Sequence, residues 1–459
     1  MSNKRAEKKK GCSPGSGLQP DASGVDVGAT EIYIAVAEGR DAEPVRRFAT
    51  FTEDLQAASE WLVRCRIKTV AMESTGVYWI PFFQMLESRG LQVCLVNARH
   101  VKNVPGRKTD VSDCQWLQYL HSVGLLRGSF RPEQQVCAVR SLARHRESLV
   151  EMAAVHLQHM QKALDQMNLQ LHHVISDLSG TTGMAIVDAI LAGERNPQRL
   201  AKLRDPHIQC DGRTIAKSLV GDYRGEHLFT LRQSVTAYRH YQQLLAACDV
   251  EMERLLEEFS DRTGPGTPAL QEPTKRRKPR RNEIRFDLRA HLYRILGVDL
   301  TAVPGISALT AHVLMTEVGP DLSAFRNEAA FSSWMGLCPD NRVSGGKRLG
   351  SRTRKVNSRA AKALRMAANA LYRSQSWLGH YFRRMRAKLG APKAITAAAH
   401  KLARIVYLAL KHGMTYVRQT QEEYEARTRE QQVKSLKKKA RALGMEVLEK
   451  PAAETPPTV

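Results

Sequence analysis

A chain of 459 residues is longer than one hydrophobic core usually grows, so two to three domains are expected, and 42% hydrophobic residues suffice to fill them. A formal net charge of +24 predicts attraction to a polyanion. A bilayer is excluded as that polyanion's main form, because no run of about 18 apolar residues is present and Met1 to Lys10 lacks the apolar segment of a signal peptide. The expectation is a soluble, cytoplasmic protein that does not engage membrane. Its eight cysteines stand singly, with no C-x-x-C pair, and read as reduced thiols.

Residues 1–22 are rich in Lys, Gly, Ser and Pro without an apolar period, which predicts a disordered basic arm. Order begins near Ser23. Alternation through Val27, then Ile32, Ile34 and Val36, then Val45 to Phe51, predicts three short strands. Helical spacing over Glu53 to Arg66 follows, then a strand over Lys68 to Met72, a helix over Val77 to Arg89, a strand over Leu91 to Val96 and a helix over Asp110 to Val123. Three hairpin-linked strands followed by alternating helices and strands predict a mixed sheet with helices on its faces, over residues 23–130.

Residues 131–262 read as helical. Leu149, Ala153, Leu157, Met160, Leu164, Met167, Leu171, Val174 and Leu178 form a heptad seam, and a second runs from Leu228 to Phe259 through Tyr238, Leu245, Cys248, Met252 and Leu255. Two such seams predict an antiparallel coiled coil, with a buried bundle as the plainer alternative. His156, His159, His172 and His173 have a spacing that suggests a metal site, but helical burial accounts for them as well. Residues 263–290 break every period and carry Lys275, Arg276, Arg277, Lys278, Arg280 and Arg281, a basic Pro-rich linker suited to nucleic-acid backbone. Residues 291–427 read as a mainly helical domain, with a helix, a Pro-Gly turn and a second helix over Leu300 to Leu314. Residues 428–459 form a basic tail.

Four acids carry the chemistry. Asp26 ends the first strand before Gly28, Glu73 ends the fourth, and Asp110 and Asp113, spaced i,i+3, share one face of the following helix. Singly, each has a bland explanation as turn or cap chemistry. Together they supply hard oxygen ligands suited to Mg²⁺ or Mn²⁺, and two such ions about 3.5–4 Å apart clamp the attacking and leaving oxygens of a phosphodiester. Ser344 precedes Gly345 and Gly346, which free the backbone, and Lys347 and Arg348, which can hold phosphate. A serine activated there can form a phosphoserine ester that conserves the bond energy for rejoining.

These residues resemble the DEDD-type transposases of bacterial insertion sequences, specifically insertion-sequence family 110 and its 1111 branch. The resemblance rests on VDVG near the start, MESTGVYW (Met72 to Trp79), the string from Val96 to Asp113, VPGIS (Val303 to Ser307), and FSSWMGLCP with SGGKRLG (Phe331 to Gly350). It implies an α+β multidomain chain: an RNase H-like (RuvC-like) catalytic domain bearing Asp26, Glu73, Asp110 and Asp113, a coiled-coil middle, and a C-terminal transposase domain with a helix-hairpin-helix-like element and Ser344 as nucleophile. It further implies DNA substrates at the element's ends and target, an element-encoded bridge RNA, a dimer or tetramer, and a place at the bacterial nucleoid. The sequence departs from the family pattern at Ser307, at Cys114 and in the Pro-rich basic insertion.

Competing expectations are a hydrolytic junction resolvase, which needs the acids but not Ser344, an ATPase of the actin and hexokinase class, and a non-catalytic nucleic-acid binder. The ATPase class needs a second Asp-x-Gly phosphate loop, which is missing. The binder leaves four carboxylates unexplained, since they repel phosphate unless a cation intervenes.

Overall fold

The computed structural model describes residues 19–74, 76–97, 110–265, 267–272, 282–354 and 356–447. The basic run Lys275 to Arg281, most of the arm, the string from 98 to 109 and the end of the tail lie outside the described residues. The chain divides into two compact units that meet in sequence between Arg131 and Pro132.

The first unit runs β1 (Ala22–Val27), β2 (Glu31–Ala35), β3 (Val45–Ala49), α1 (Thr52–Arg64), β4 (Thr69–Glu73), α2 (Trp79–Ser88), β5 (Gln92–Val96) and α3 (Asp110–Ser122). Its five strands form one sheet in the order β3-β2-β1-β4-β5. β1 pairs antiparallel with β2 and parallel with β4, so the sheet is mixed, as the element order predicts. Strand parity divides its side chains between two cores. Val25, Val27, Val70 and Met72 pack with Trp61, Leu62, Phe82 and Leu86 of α1 and α2. Ala71, Cys94 and Val96 face the opposite way, onto Leu117 and Leu120 of α3.

The second unit is built on two long helices, α4 (Gln134–Gln166) and, after four short ones, α9 (Gly225–Glu257). They lie antiparallel: His156 stacks on Tyr241 at 5.4 Å, while Arg146 Nε meets Asp249 Oδ1 at 2.5 Å. The intervening α5 (Leu171–Val174), α6 (Thr181–Leu191), α7 (Pro197–Ala201) and α8 (Gly212–Ser218) close a core with Met160, Leu164, Leu231 and Val235.

Two details of the seams differ from expectation. The first seam does not continue in one helix to Leu178: α4 ends at Gln166, and Asn168 takes a φ of +55°, a left-handed turn that Asn tolerates. Met167, Leu171 and Leu178 are still buried, but in the helical tip. In the second seam Leu256, not Leu255, is fully buried.

Beyond the linker come α10 (Leu288–Leu296), a single 3₁₀ turn (Leu300–Ala302), α11 (Ala308–Val318), α12 (Glu328–Trp334), a hairpin of β6 (Arg342–Ser344) and β7 (Lys347–Gly350), then α13 (Arg359–Ala370), α14 (Trp377–Leu389), α15 (Ala391–His412) and α16 (Met414–Ala442). The element before the Pro-Gly turn is thus a 3₁₀ turn rather than a helix. The hairpin was not expected, and the helical region runs past residue 427 to Ala442. Arg140 on α4 donates to the carbonyls of Thr316 (2.8 Å) and Glu317 (3.0 Å), capping the end of α11 and tying the long helices to this region. Among the described residues no helix is long and apolar enough to cross a membrane.

Candidate active site

Asp26 and Glu73 stand at the ends of neighbouring strands. The parallel register Gly24↔Ala71 and Val25↔Met72 leads directly to Asp26 beside Glu73. By parity Asp26 follows Gly24 and Glu73 follows Ala71, the residues that face α3. Both acids therefore leave the sheet on the side where α3 lies.

The packing of α3 fixes the third acid. Gly24 lets the helix backbone approach β1 so closely that an added Cβ would stand 2.3 Å from Cys114 O and 2.3 Å from Gln118 N. Gln118 Nε2 donates to Ala22 O at 3.3 Å, and Gln19 N donates to Ser122 O at 2.6 Å. Moving up β1 from Ala22 to Gly24 thus moves along α3 from its end toward its start, so Asp26 lies toward the first turn, which holds Asp113. Electrostatics agrees: burial pushes the Cys114 thiol up to about 12, and the neighbouring Asp26 and Asp113 carboxylates act in the same direction. A neutral, fully buried thiol is the consequence. Asp110 begins α3, but its side chain lies outside the described residues.

The turn after Asp26 closes through Gly28 N donating to Glu31 O at 3.0 Å. Past Glu73, Ser74 donates both N–H and Oγ to Val96 O, at 3.0 and 3.1 Å, pinning the strand end to β5. His121 Nε2 and Thr69 Oγ1 are 2.8 Å apart, which fixes the other end of α3 on β4. Gly24 and Ser74 were not singled out in the sequence; the signal for Gly24 was a glycine inside an otherwise β-forming run.

All-oxygen donors fit a hard divalent cation, and the neighbouring Cys114, a soft ligand, is held protonated. Among the described residues, the sole trio of potential ligand atoms within 4.8 Å is Asp165, at the end of α4, with His172 and His173 of α5. Of the four histidines of the suggestive spacing, His156 instead stacks on Tyr241, and His159 packs edge-on against His156. All seven described cysteines are free thiols.

Ser344 belongs to the second unit. It is exposed at the end of β6, cross-strand from Lys347, and Gly345 and Gly346 form the turn with φ of +54° and +74°. Val343 and Leu349 are also exposed, so the hairpin projects. Lys347 is exposed; the side chain of Arg348 lies outside the described residues. Among the described residues Ser344 Oγ has no hydrogen-bond partner.

Two family models match this chain. One, a DEDD transposase of the IS110 type described as "Transposase", matches residues 23–169. The other, described as "Transposase IS116/IS110/IS902 family", matches residues 299–383. A curated relative, a putative transposase (y4pF/y4sB) of Sinorhizobium fredii, is 31% identical over 127 residues, which is 26% of this chain and 32% of that protein. The match thus spans about a third of the relative's length. With a DEDD transposase domain over its mixed sheet and the companion transposase domain over its Ser344 hairpin, the chain belongs to the IS110 family of transposases.

Proposed function

We propose that the protein is the transposase of an insertion sequence, cutting and rejoining DNA strands by transesterification. The observation that carries this reading is the placement of Asp26 and Glu73 on adjacent strand ends, with Asp113 on the helix laid across β1 through Gly24. Asp26, Glu73, Asp110 and Asp113 would hold Mg²⁺ or Mn²⁺. That cation supplies Lewis-acid stabilisation of the phosphate oxygens. The exposed Ser344 hydroxyl attacks the phosphorus, the 3′ or 5′ oxygen leaves, and Lys347 and Arg348 balance charge on the phosphoryl group. Ser344 gives up its proton to a base as it attacks, and the leaving oxygen takes one up.

By the same resemblance, the reading extends to a bridge RNA that pairs with donor and target DNA, to a dimer or tetramer, and to the bacterial cytoplasm at the nucleoid. The basic run Lys275, Arg276, Arg277, Lys278, Arg280 and Arg281 contributes backbone contacts.

The test is cleavage of labelled element-end DNA, resolved on a denaturing gel. The parent protein should form a denaturation-resistant adduct in Mg²⁺. Ser344→Ala should lose adduct and strand exchange, whereas Asp26→Ala and Asp113→Asn should lose cleavage but keep binding. Efficient cleavage by Ser344→Ala with no adduct in the parent would replace this mechanism with that of a hydrolytic nuclease. Full activity in excess chelator would remove the metal.

A further inference from the structure

Among the described residues, a basic groove lies in the helical tip between α4 and α9. There α7 and α8 line a groove of about 830 Å³. Lys202, Arg204, Arg213 and Lys217 face it, and all four are exposed. None lies within ion-pair distance of a carboxylate among the described residues, although Arg199 and Arg224 nearby are paired with Glu194 and Asp222.

The acid in the lining, Asp211, is already engaged. Its carboxylate accepts from Thr214 N at 2.7 Å and Thr214 Oγ1 at 3.0 Å as the cap of α8, and these bonds hold its pKa below the usual range. Arg204 is fixed by donating Nη1 to Cys210 O at 2.9 Å, which leaves its other donors for a ligand. Beneath the cations, Leu200, Ile215 and Leu219 are fully buried, so the two helices hold the charges on a firm base. Four cations against the single Asp211 carboxylate, whose charge also lies near Arg213, leave the groove with a net positive potential that an anion would relieve. An elongated polyanion matches an open groove of this size better than one small anion.

We propose that this groove binds a phosphodiester backbone, and that the tip is a nucleic-acid contact separate from the catalytic residues. The assignment rests on the transposase reading for its partner class, but its test does not depend on cleavage. Lys202, Arg213 and Lys217 neutralise phosphates as point or forked charges, with no base readout. Binding here is therefore indifferent to sequence and steep in salt.

The experiment uses the full chain, with Lys202→Ala, Arg213→Ala and Lys217→Ala combined, and measures affinity by fluorescence anisotropy from 50 to about 300 mM salt. Two probes are used, a DNA duplex and an RNA stem-loop. For the bound partner, the slope of log affinity against log salt should fall by about 0.9 for each duplex phosphate released, with affinity loss uniform across sequences. A benzophenone photocrosslinker in place of Val220, which lines the groove and is exposed, should attach to the same probe. Transfer to DNA or to RNA decides the source of the backbone. An unchanged thermal transition checks that the tip is folded, and Lys202→Arg with Lys217→Arg should restore the slope. Unchanged slopes on both probes with no crosslink overturn the proposal. A chain that binds here yet never cuts DNA keeps the groove and removes the transposase reading.

Discussion

Gly24 and Cys114 touch through backbone alone: a Cβ added at Gly24 would lie 2.3 Å from Cys114 O, a distance no real Cβ occupies. The carbonyl cannot rotate away, because it belongs to α3. In Gly24→Ala the helix must therefore lift off β1, carrying Asp113 away from Asp26. The expected cost is about 1–3 kcal/mol of stability in the first unit, as for other overpacked sites. Cleavage should fall far more than DNA binding, because the separation of acids changes while the basic surfaces do not. Unaltered cleavage in a folded Gly24→Ala protein would mean that α3 does not set the acid geometry.

The contact between His121 and Thr69 gives a pH dependence. His121 is buried, and burial holds its pKa down at about 4. In the unfolded chain it titrates near 6.5. A depressed folded pKa means that the unfolded state takes up the proton first, so stability is complete above about pH 6.5 and is lost as pH falls toward 4. The loss is on the order of 3 kcal/mol for this one residue. His312 in the other unit is likewise held at about 4, so a global unfolding curve would mix the two. Hydrogen exchange of the α3 amides separates them: exchange should rise between pH 6.5 and 4 once corrected for intrinsic rate, and His121→Gln should flatten that rise.

Arg146 and Asp249 form a buried pair between the long helices, with side chains 10% and 3% exposed. Arg146 also donates Nη2 to Asn282 O at 3.2 Å, gathering the chain after the linker onto the same point. Arg146→Met alone leaves a buried carboxylate and should cost about 3–5 kcal/mol, whereas Arg146→Met with Asp249→Leu should recover much of that loss. Urea unfolding of the four proteins measures the coupling. Strictly additive losses would show that the two charges do not depend on each other.

How far the sequence foretold this architecture differs by region, for physical reasons. The sheet domain was legible because each strand and helix carries its own period, whereas the pairing of the strands that carry Asp26 and Glu73 was only a condition at the level of sequence, met by the parallel β1–β4 register. The closeness of α3 to β1 was not legible, since a lone glycine signals a turn, a bulge or a close approach equally well. The α4 seam misled beyond Gln166: Met167, Leu171 and Leu178 keep heptad spacing and are buried, yet the Asn168 turn sends them into a different core. The Ser344 hairpin was missed because Arg342 to Gly350 lacks apolar alternation, and both of its large apolar residues, Val343 and Leu349, are exposed. The groove cations are spread over sixteen positions of sequence and converge only when α7 meets α8.

The last prediction concerns the turn that presents Ser344. Gly345 and Gly346 both have positive φ, the requirement of a type I′ hairpin turn between two-residue-linked strands. An added Cβ at either position meets nothing within 4 Å, so space is not the constraint; backbone conformation is. Asn visits the left-handed region at little cost, while a β-branched residue is strained there. Gly345→Asn should therefore keep the Ser344↔Lys347 pairing and near-parental adduct yield. Gly345→Val should shift or open the hairpin and lower adduct formation at least tenfold, a change of about 1.4 kcal/mol in the barrier. Binding of DNA should be similar in both, since neither changes charge. Adduct yield read on the same denaturing gel distinguishes them. Equal yields from Gly345→Asn and Gly345→Val would show that the enzyme sets the position of Ser344 by contacts with its DNA and not by this turn.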